Sequence, residues 1–580
     1  MANDLQSIAS SRAQLLVRVP PGVAPLAMGQ ALALGGGAAP PVPLCPNTDA
    51  HRSAGLAAGH RWYIADLGAS GLTDAELWEA AHRATRSPAL AAAGSAALVE
   101  PDLVQEWPYT NVVRPDALGA APGGLCAFND QDGAFPVGPD FAWHLRDNFS
   151  QLRMARQALS GNTSTIRIGI LDTGIDPQHQ TLPQNLNLGL ARNFVNDGQA
   201  ANDVHDPYAR GLLNNPGHGS GTLGLLAGAR YQNPLVGPYN DYLGGAPLAE
   251  VVPIRIATSV ILFRTSAFAS GLDYLIAPNG DPALRADVVS MSMGGLASRA
   301  WADVINHAYE MGVTVVTAAG NNYPMTPSLI VFPALFRRVI AACGVMADGR
   351  PYTRDYVPFP KMAGNYGPPS KMATALSAYT PNTSWAEINC AKIVDMDGAG
   401  TSSATPQIAA AAALWLQKHK SSLAYPAAWG AVEAVREALF RSAAAPSDPG
   451  YSAALGKGIL RASDALSLAP TANPVMTPAD TADFALLRGL LGLPAAADAA
   501  HDMLELELTQ VVQRDPALAT TYIELGITGA PLDDEHKRRL IDEVVSHTDA
   551  SPTLKAVLKG AYPTQYLPAG GAPVAAAAAT

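Results

Sequence analysis

The central part of the chain, roughly residues 141 to 470, carries short runs that are apolar at nearly every position. A strand that is apolar on both faces is normally buried in a parallel sheet covered by helices. Stretches with helical periodicity, such as Ala300 to Met311, lie between the runs, which is the order of repeated strand–helix–strand units. We therefore predict an α/β fold with a doubly wound, mostly parallel sheet. The runs are Ile166 to Leu171, Val251 to Ile256, Asp287 to Met293, Val313 to Ala319 and Val339 to Val345.

Other zones flank this α/β domain. The first zone combines strand-like runs with a helix-like stretch and predicts a small α+β domain, and a Pro- and Gly-rich connector follows it. After a Pro-rich linker, helical periodicity dominates and predicts an α-helical domain, while the Ala-rich end is low in complexity and expected to be disordered. The predicted boundaries are 1–110 for the α+β domain, 111–140 for the connector, 141–470 for the α/β domain, 471–480 for the linker, 481–562 for the helices and 563–580 for the tail.

Composition excludes several classes of protein. The 580 residues are 48% hydrophobic and 15% charged, which permits a large core and argues against general disorder. A net charge of −11 argues against nucleic acid as a partner. The longest clean apolar run, Ile408 to Leu416, has nine residues, whereas a membrane span needs about 20. We expect a soluble globular protein with no membrane partner.

The four cysteines, Cys45, Cys126, Cys343 and Cys390, are widely spaced. They match neither a disulfide framework nor a paired metal knuckle, so we expect small buried thiols. The N-terminus has Asp4 early and lacks the basic-then-apolar pattern of a secretory signal. Both features favour a reducing, cytoplasmic location.

Four polar residues fall where the predicted strands end or the predicted helices begin, which is where chemistry occurs in parallel α/β sheets. Asp172 ends the first run, and Asn321 follows the fourth. His218 stands in the segment GHGSGT, which opens a helical stretch. Ser402 stands in GTSSATP, directly before an Ala-rich helix.

These residue types suit nucleophilic acyl transfer. A serine hydroxyl becomes a good nucleophile when a positioned imidazole removes its proton. The imidazole needs a buried carboxylate that orients it and stabilises its cation. An amide side chain and a backbone N–H can then stabilise the oxyanion, and the positive end of a helix dipole supports that charge.

Each motif alone has other interpretations. Asp172-Thr173-Gly174 also occurs in aspartic proteases, but they need two such carboxylates, and this chain has no second DTG or DSG. Gly219 to Gly224 matches GxGxxG but does not follow an apolar strand, so a dinucleotide site fails its context test. Ser402 lacks the GxSxG pattern of a nucleophile elbow. No HExxH occurs in the sequence, so a metallohydrolase is not expected.

Taken together, the segments resemble the subtilisin-like serine proteases. The order Asp, His, Ser is the one found in that family. The segments ILDTGID, GHGSGTLGLLAG, SMSMGG, TAAGNN and GTSSATP resemble family signatures, in family order, across residues 141–470. The resemblance implies a serine endopeptidase that attacks polypeptides through an acyl-enzyme and requires no cofactor. The N-terminal zone resembles the family's propeptide, and the C-terminal helices are an extension.

The resemblance also assigns roles to residues. Asp172 would orient His218, which would act as general base and then as general acid. Ser402, rather than Ser403, matches the nucleophile, because the Ala and Pro that follow have the family spacing. Asn321 matches the oxyanion donor. The substrate-binding matches are Ser292, Met293 and Gly294, whose backbone would pair with an extended substrate, and Val331 in the primary pocket.

Three positions depart from the family pattern. Gly221 stands where many members have a second histidine. Thr181 replaces an aspartate of the family's calcium site, which argues against calcium binding there. Val331 replaces a glycine that often floors the primary pocket, so we expect a preference for small or medium apolar side chains at the cleavage point.

The N-terminal domain is expected to act as a folding template and inhibitor that is cut off between Trp107 and Phe141. A propeptide favours export, in opposition to the cytoplasmic indications above. Two other functions stay open on the same scaffold: a binding protein without catalysis, and an esterase or peptide ligase that uses the same triad.

Overall fold

The computed structural model contains a small N-terminal sheet, a central α/β domain and a set of C-terminal helices. The predicted tail at 563–580, the first half of the predicted connector and the start of the chain lie outside the described residues. The described residues are 12–20, 40–51, 60–86, 90, 97–105, 126–159, 165–195, 198–207, 216–260, 262–321, 329–358, 361–482, 486–491 and 499–561.

The N-terminal domain is a four-stranded antiparallel sheet, within the described residues, with strand order β2-β3-β1-β4. A capping box at Thr73 and Glu76 starts its longer helix. β1 is buried from Leu15 to Val19, and α2 buries one side that includes Leu77, Trp78 and Ala81. The elements are β1 (Arg12–Val19), β2 (Val42–Pro43), α1 (Pro46–His51), β3 (Arg61–Ser70), α2 (Asp74–Thr85) and β4 (Leu98–Pro101).

The central domain contains a sheet that, over the described residues, has seven parallel strands in the order β15-β14-β13-β12-β5-β9-β6. The doubly wound parallel sheet predicted from the sequence is confirmed. The strands of this domain are β5 (Arg167–Asp172), β6 (Arg192–Asn193), β7 (Arg230–Tyr231), β8 (Asp241–Tyr242), β9 (Glu250–Arg255), β10 (Ala257–Ser259), β11 (Leu262–Phe263), β12 (Val288–Met291), β13 (Thr314–Ala318), β14 (Ile340–Val345), β15 (Ala375–Tyr379), β16 (Thr383–Ala386) and β17 (Val394–Gly398).

Helices cover the central sheet, and the longest is buried from its first residue to Leu416. Its Ala-rich face packs against β12, β13, β14 and β15, because small side chains let a helix lie close to a sheet at native packing density. The helices of this domain are α3 (Leu152–Ala158), α4 (His218–Ala227), α5 (Thr265–Ile276), α6 (Arg299–Glu310), α7 (Thr401–His419), α8 (Trp429–Ser442), α9 (Ser452–Leu455) and α10 (Ala462–Ser467).

Helices form the C-terminal region, and they pack against both other domains. Among the described helices of the whole chain, none is both long enough and apolar enough to cross a membrane. The C-terminal helices are α11 (Leu486–Leu491), α12 (Ala499–Arg514), α13 (Pro516–Thr528), α14 (Asp534–Ser546) and α15 (Pro552–Ala561).

Two carboxylates of the N-terminal domain cap helices of the central domain. Glu100 accepts hydrogen bonds from Ser298 Oγ (2.8 Å) and from the backbone N–H groups of Arg299 (2.9 Å) and Ala300 (3.0 Å) at the start of α6. Asp102 accepts from the N–H and the hydroxyl of Ser266, both at 2.8 Å, at the start of α5. Burial raises the pKa of Glu100 to about 7. These caps fix the N-terminal sheet on the central domain.

The prediction of four buried thiols is wrong for two cysteines. Cys126 and Cys390 form a disulfide with a Cα–Cα distance of 5.3 Å, although 264 residues separate them. Spacing along the chain could not reveal this pair, because the fold alone brings the two segments together. Cys45 and Cys343 are buried thiols that form no disulfide within the described residues, and burial raises the pKa of the Cys343 thiol to about 12.

Candidate active site

Asp172 and His218 meet at the carboxyl edge of the sheet. Asp172 is the last residue of β5, and His218 is the first residue of α4. His218 Nδ1 lies 2.8 Å from Asp172 Oδ1, which also accepts a hydrogen bond from the Thr173 N–H at 2.8 Å. Thr222, one turn along α4, donates from its hydroxyl to Asp172 Oδ2 at 3.0 Å. The carboxylate is therefore buried with three partners, and it can hold the imidazole in one orientation.

The glycines around His218 let the helix start close to its neighbours. A Cβ on Gly219 would lie 2.0 Å from the carbonyl oxygen of Gly174, and a Cβ on Gly221 would lie 2.0 Å from the indole of Trp385. The Trp385 ring also contacts the His218 ring edge to face, with 5.6 Å between the ring centres. Gly221, where many family members have a second histidine, is thus covered by this indole.

Ser402 is the second residue of α7, with its side chain at the positive end of that helix. Its hydroxyl donates to the Ser292 carbonyl at 3.2 Å, and the Ser292 hydroxyl donates to the Ser402 carbonyl at 3.0 Å. Helices α4 and α7 pack against each other, so His218 and Ser402 begin neighbouring helices. A hydrogen bond from Ser402 to His218 stays a prediction, and catalytic contacts of this kind often tighten only when substrate binds.

Asn321 follows β13 and lies against the residue before Ser402. Its Oδ1 accepts a hydrogen bond from the Thr401 N–H at 2.8 Å. A Cβ on Gly400 would lie 2.9 Å from Asn321 Nδ2, so the amide nitrogen faces the turn that begins α7. An amide donor at this position is close to the segment that carries the Ser402 backbone N–H. The pair could stabilise negative charge that develops beside the serine.

The predicted substrate-binding residues lie next to each other. Ser292, Met293 and Gly294 directly follow β12. A Cβ on Gly294 would lie 2.2 Å from Val331 Cγ2, and a Cβ on Gly320 would lie 2.9 Å from Val331 Cγ1. Val331 is therefore wedged between the predicted pairing segment and the segment that leads to Asn321. Its isopropyl group occupies space that a glycine would leave open.

The end of the N-terminal domain runs along this site. Val104 pairs with Arg264 as an antiparallel bridge, and the Gln105 N–H donates to the Phe263 carbonyl at 2.7 Å. The Gln105 side chain accepts from the Leu296 N–H at 2.7 Å. The segment that precedes residue 106 thus lies extended beside residues 263–265 and exchanges backbone hydrogen bonds with them, in the manner of an extended peptide.

Thr181 stands at the position where the family often has a calcium-binding aspartate. The Thr181 hydroxyl lies 2.7 Å from His179 Nδ1, and the Thr181 carbonyl accepts from the Ala229 N–H at 3.0 Å. Thr181 supplies no carboxylate, and both of its oxygens are already hydrogen-bonded.

The hairpin that carries Trp385 holds buried carboxyl groups. Burial, together with Asp395 and Asp397, raises the pKa of Glu387 to about 8. Burial raises the pKa of Asp395 to about 7. At neutral pH this hairpin therefore carries less negative charge than its sequence implies.

Sequence reasoning missed Thr222 and Trp385. Thr222 is four residues after His218 on the same helix, so helical spacing could have found it. Trp385 lies far along the chain, and no local pattern connects it with His218.

Comparison with known proteins points to one group. The model of the subtilase family matches residues 163–458, which is just over half of the 580 residues. Subtilisin E of Bacillus subtilis is 26% identical over 286 residues, which is 49% of this chain and 64% of that protein. Subtilisin DY of Bacillus licheniformis is 28% identical over 267 residues, covering 45% and 81%. An extracellular serine proteinase of a Thermus species is 27% identical over 288 residues, covering 49% and 59%. The match thus spans somewhat less than two thirds of some of these relatives.

Proposed function

Because the chain belongs to the subtilase family, we propose that it is a serine endopeptidase whose nucleophile is Ser402. The observation that carries this proposal is the contact of 2.8 Å between His218 Nδ1 and the buried Asp172 carboxylate at the start of α4. A buried carboxylate that orients an imidazole is the arrangement that general-base activation of a serine requires. The relatives named above support the same reaction class.

In the proposed mechanism, His218 Nε2 takes the proton of the Ser402 hydroxyl as that oxygen attacks the peptide carbonyl. Asp172 stabilises the imidazolium that forms. The Asn321 amide and the Ser402 N–H stabilise the oxyanion of the tetrahedral intermediate. The imidazolium then protonates the leaving amine, which yields an acyl-enzyme, and water deacylates it by the reverse proton path.

Peptide hydrolysis should be compared with other acyl transfers to test this function. We expect turnover of internal amide bonds in an unstructured polypeptide, with one new amino terminus formed for each peptide bond hydrolysed. An esterase would cleave only activated esters, and a ligase would transfer the acyl group to an added amine in preference to water. Either result would replace the endopeptidase assignment while leaving the acyl-enzyme in place.

Removal of the Asn321 amide donor should lower kcat and leave KM nearly unchanged, because the oxyanion exists only after attack. The expected loss in kcat is about 10²–10³-fold, which is the loss known for subtilisin, itself a member of this family. Asn321→Asp keeps an oxygen for the Thr401 N–H, but it removes the donor and adds a negative charge that opposes the oxyanion, so its loss in kcat should be at least as large. Steady-state kinetics on one peptide substrate measures the effect. Full activity of Asn321→Asp would contradict the donor role.

Val331→Gly should open the primary pocket. We expect kcat/KM for substrates with Phe or Tyr at the cleavage position to rise about tenfold or more, because a side chain that the pocket excluded can now enter. Substrates with Ala at that position serve as the control and should change far less. A peptide library profiled with both enzymes measures the preference. A parent enzyme that already favours Phe and Tyr would contradict this account of the pocket.

The location of the protein is also a proposal. A disulfide such as Cys126–Cys390 persists in an oxidising environment, and this favours export over the cytoplasmic location that the sequence suggested.

The extended segment at Val104 and Gln105 beside the site supports an inhibitory role for the N-terminal domain.

A further inference from the structure

The C-terminal helices bind the N-terminal domain as well as the central domain. Helix α12 packs against β4 and α2, and α15 packs against α2. Buried residues of all three regions belong to one continuous apolar core, including Trp78 of α2, Trp301 of α6 and Met503 of α12. The N-terminal domain therefore has a second docking surface, distinct from the helix starts that Glu100 and Asp102 cap.

A buried hydrogen-bonding contact crosses this second surface. His82 Nε2 lies 2.6 Å from Glu507 Oε2, and the two residues are 5% and 0% exposed. Glu507 also accepts from the Ser551 N–H at 2.6 Å and from the Ser551 hydroxyl at 3.0 Å. Separating the two domains would leave the buried Glu507 carboxyl group without His82, and a buried carboxylate without a partner costs free energy. This contact therefore opposes separation of the domains.

Gln510 joins all three regions. Its Oε1 accepts from the Trp78 indole N–H at 2.9 Å, and its Nε2 donates to the Ala297 carbonyl at 2.7 Å. The side chain is 3% exposed. One amide on α12 thus bonds simultaneously to the N-terminal domain and to the central domain, and both bonds are shielded from water.

Further polar contacts surround this centre. Glu79 of α2 accepts from the Thr553 N–H at 3.0 Å and from the Thr553 hydroxyl at 2.8 Å, in the first turn of α15. Arg514 at the end of α12 pairs with Asp74 at the start of α2. The N-terminal domain therefore caps a C-terminal helix in the same way that it caps α5 and α6.

We propose that the C-terminal helices retain the N-terminal domain after the chain is cut, so that cleavage yields a non-covalent complex and not a free catalytic domain. The cut would fall between Trp107 and Phe141, as the sequence predicts. The proposal rests on the proposed function in one respect: the enzyme itself would make this cut. The surface formed by His82, Trp78 and Glu79 on one side and by Glu507 and Gln510 on the other is the retaining contact.

The test uses the full chain in the inactive Ser402→Ala background, with a recognition sequence for an unrelated, site-specific protease inserted into stretch 106–125. Cutting with that protease separates retention from any activity of the protein itself. Gel filtration with intact-mass analysis shows whether the N-terminal fragment stays bound, and dilution gives its dissociation constant. The variants are Gln510→Ala and Trp78→Phe, and the matched control is Gln157→Ala on an exposed helical position of the central domain.

We expect the parent and the Gln157→Ala control to keep the N-terminal fragment. Gln510→Ala should raise the dissociation constant about tenfold or more, because a buried donor and a buried acceptor lose their partner. Trp78→Phe removes the indole N–H and part of the buried ring, so it should also raise the dissociation constant, and circular dichroism of the uncut variant checks that it folds. Release of the fragment from the parent on cutting would overturn the proposal. Equal retention in parent, Gln510→Ala and Trp78→Phe would also overturn it, because the central domain alone would then account for binding.

Discussion

Ser402→Ala is expected to abolish peptide hydrolysis. Loss of the nucleophile removes the acyl-enzyme path, and in subtilisin loss of the nucleophile or the base costs about 10⁶ in kcat; we expect the same order here. Hydrolysis of a fluorogenic peptide, with the variant checked for an unchanged circular dichroism spectrum, measures the loss.

Ser403→Ala is the matched control for this variant. The Ser403 hydroxyl donates to the Gly400 carbonyl at 3.1 Å and lies 3.2 Å from the Thr380 hydroxyl, so it has a structural role in the same turn. Its removal should cost about 1 kcal/mol of stability and leave most of the activity. An inactive Ser403→Ala together with an active Ser402→Ala would reverse the assignment of the two serines.

Asp172→Asn is expected to lower kcat by about 10⁴, because an amide at this position holds the imidazole in the wrong tautomer. The structure predicts this effect from the contact between Asp172 Oδ1 and His218 Nδ1, since an Asn side chain can present its amide N–H groups to that nitrogen. The pH dependence of kcat/KM, measured for both enzymes, reports the base in the free enzyme.

Thr222→Val tests how much the orientation of the Asp172 carboxylate contributes, because this variant keeps the carboxylate itself. It removes the hydroxyl that donates to Asp172 Oδ2 and leaves the contact with His218 in place. We expect a loss of about ten- to a hundredfold, in keeping with one hydrogen bond to a charged group. If Asp172→Asn cost no more than Thr222→Val, the carboxylate would not have the role assigned to it.

Much of the central fold could be predicted from the sequence because its signals are local. The apolar run that ends at Asp172 forms a buried strand. The glycines around His218 lie in the first turn of a helix and let it approach its neighbours closely. Parallel sheets place strand ends at one edge, so the sequence indicated that Asp172 and Asn321 belong to the same region.

Contacts that join distant segments could not be predicted in this way. The Cys126–Cys390 disulfide, the Trp385 ring beside His218 and the Gln510 bridge each depend on the final packing of domains. Helical periodicity indicated that residues 481–562 would form helices, but it carried no information about the surface that those helices would cover.

The most direct measurement is the mapping of a fluorophosphonate adduct, since this reagent phosphonylates a serine that an adjacent base has activated. The protein is labelled in a form that hydrolyses peptide, then digested and sequenced by mass spectrometry, with His218→Ala prepared and labelled in parallel. The account predicts one stoichiometric adduct, on Ser402, that is absent from the His218→Ala variant. An adduct on a different residue, or a fully active protein that takes up no label, would contradict it.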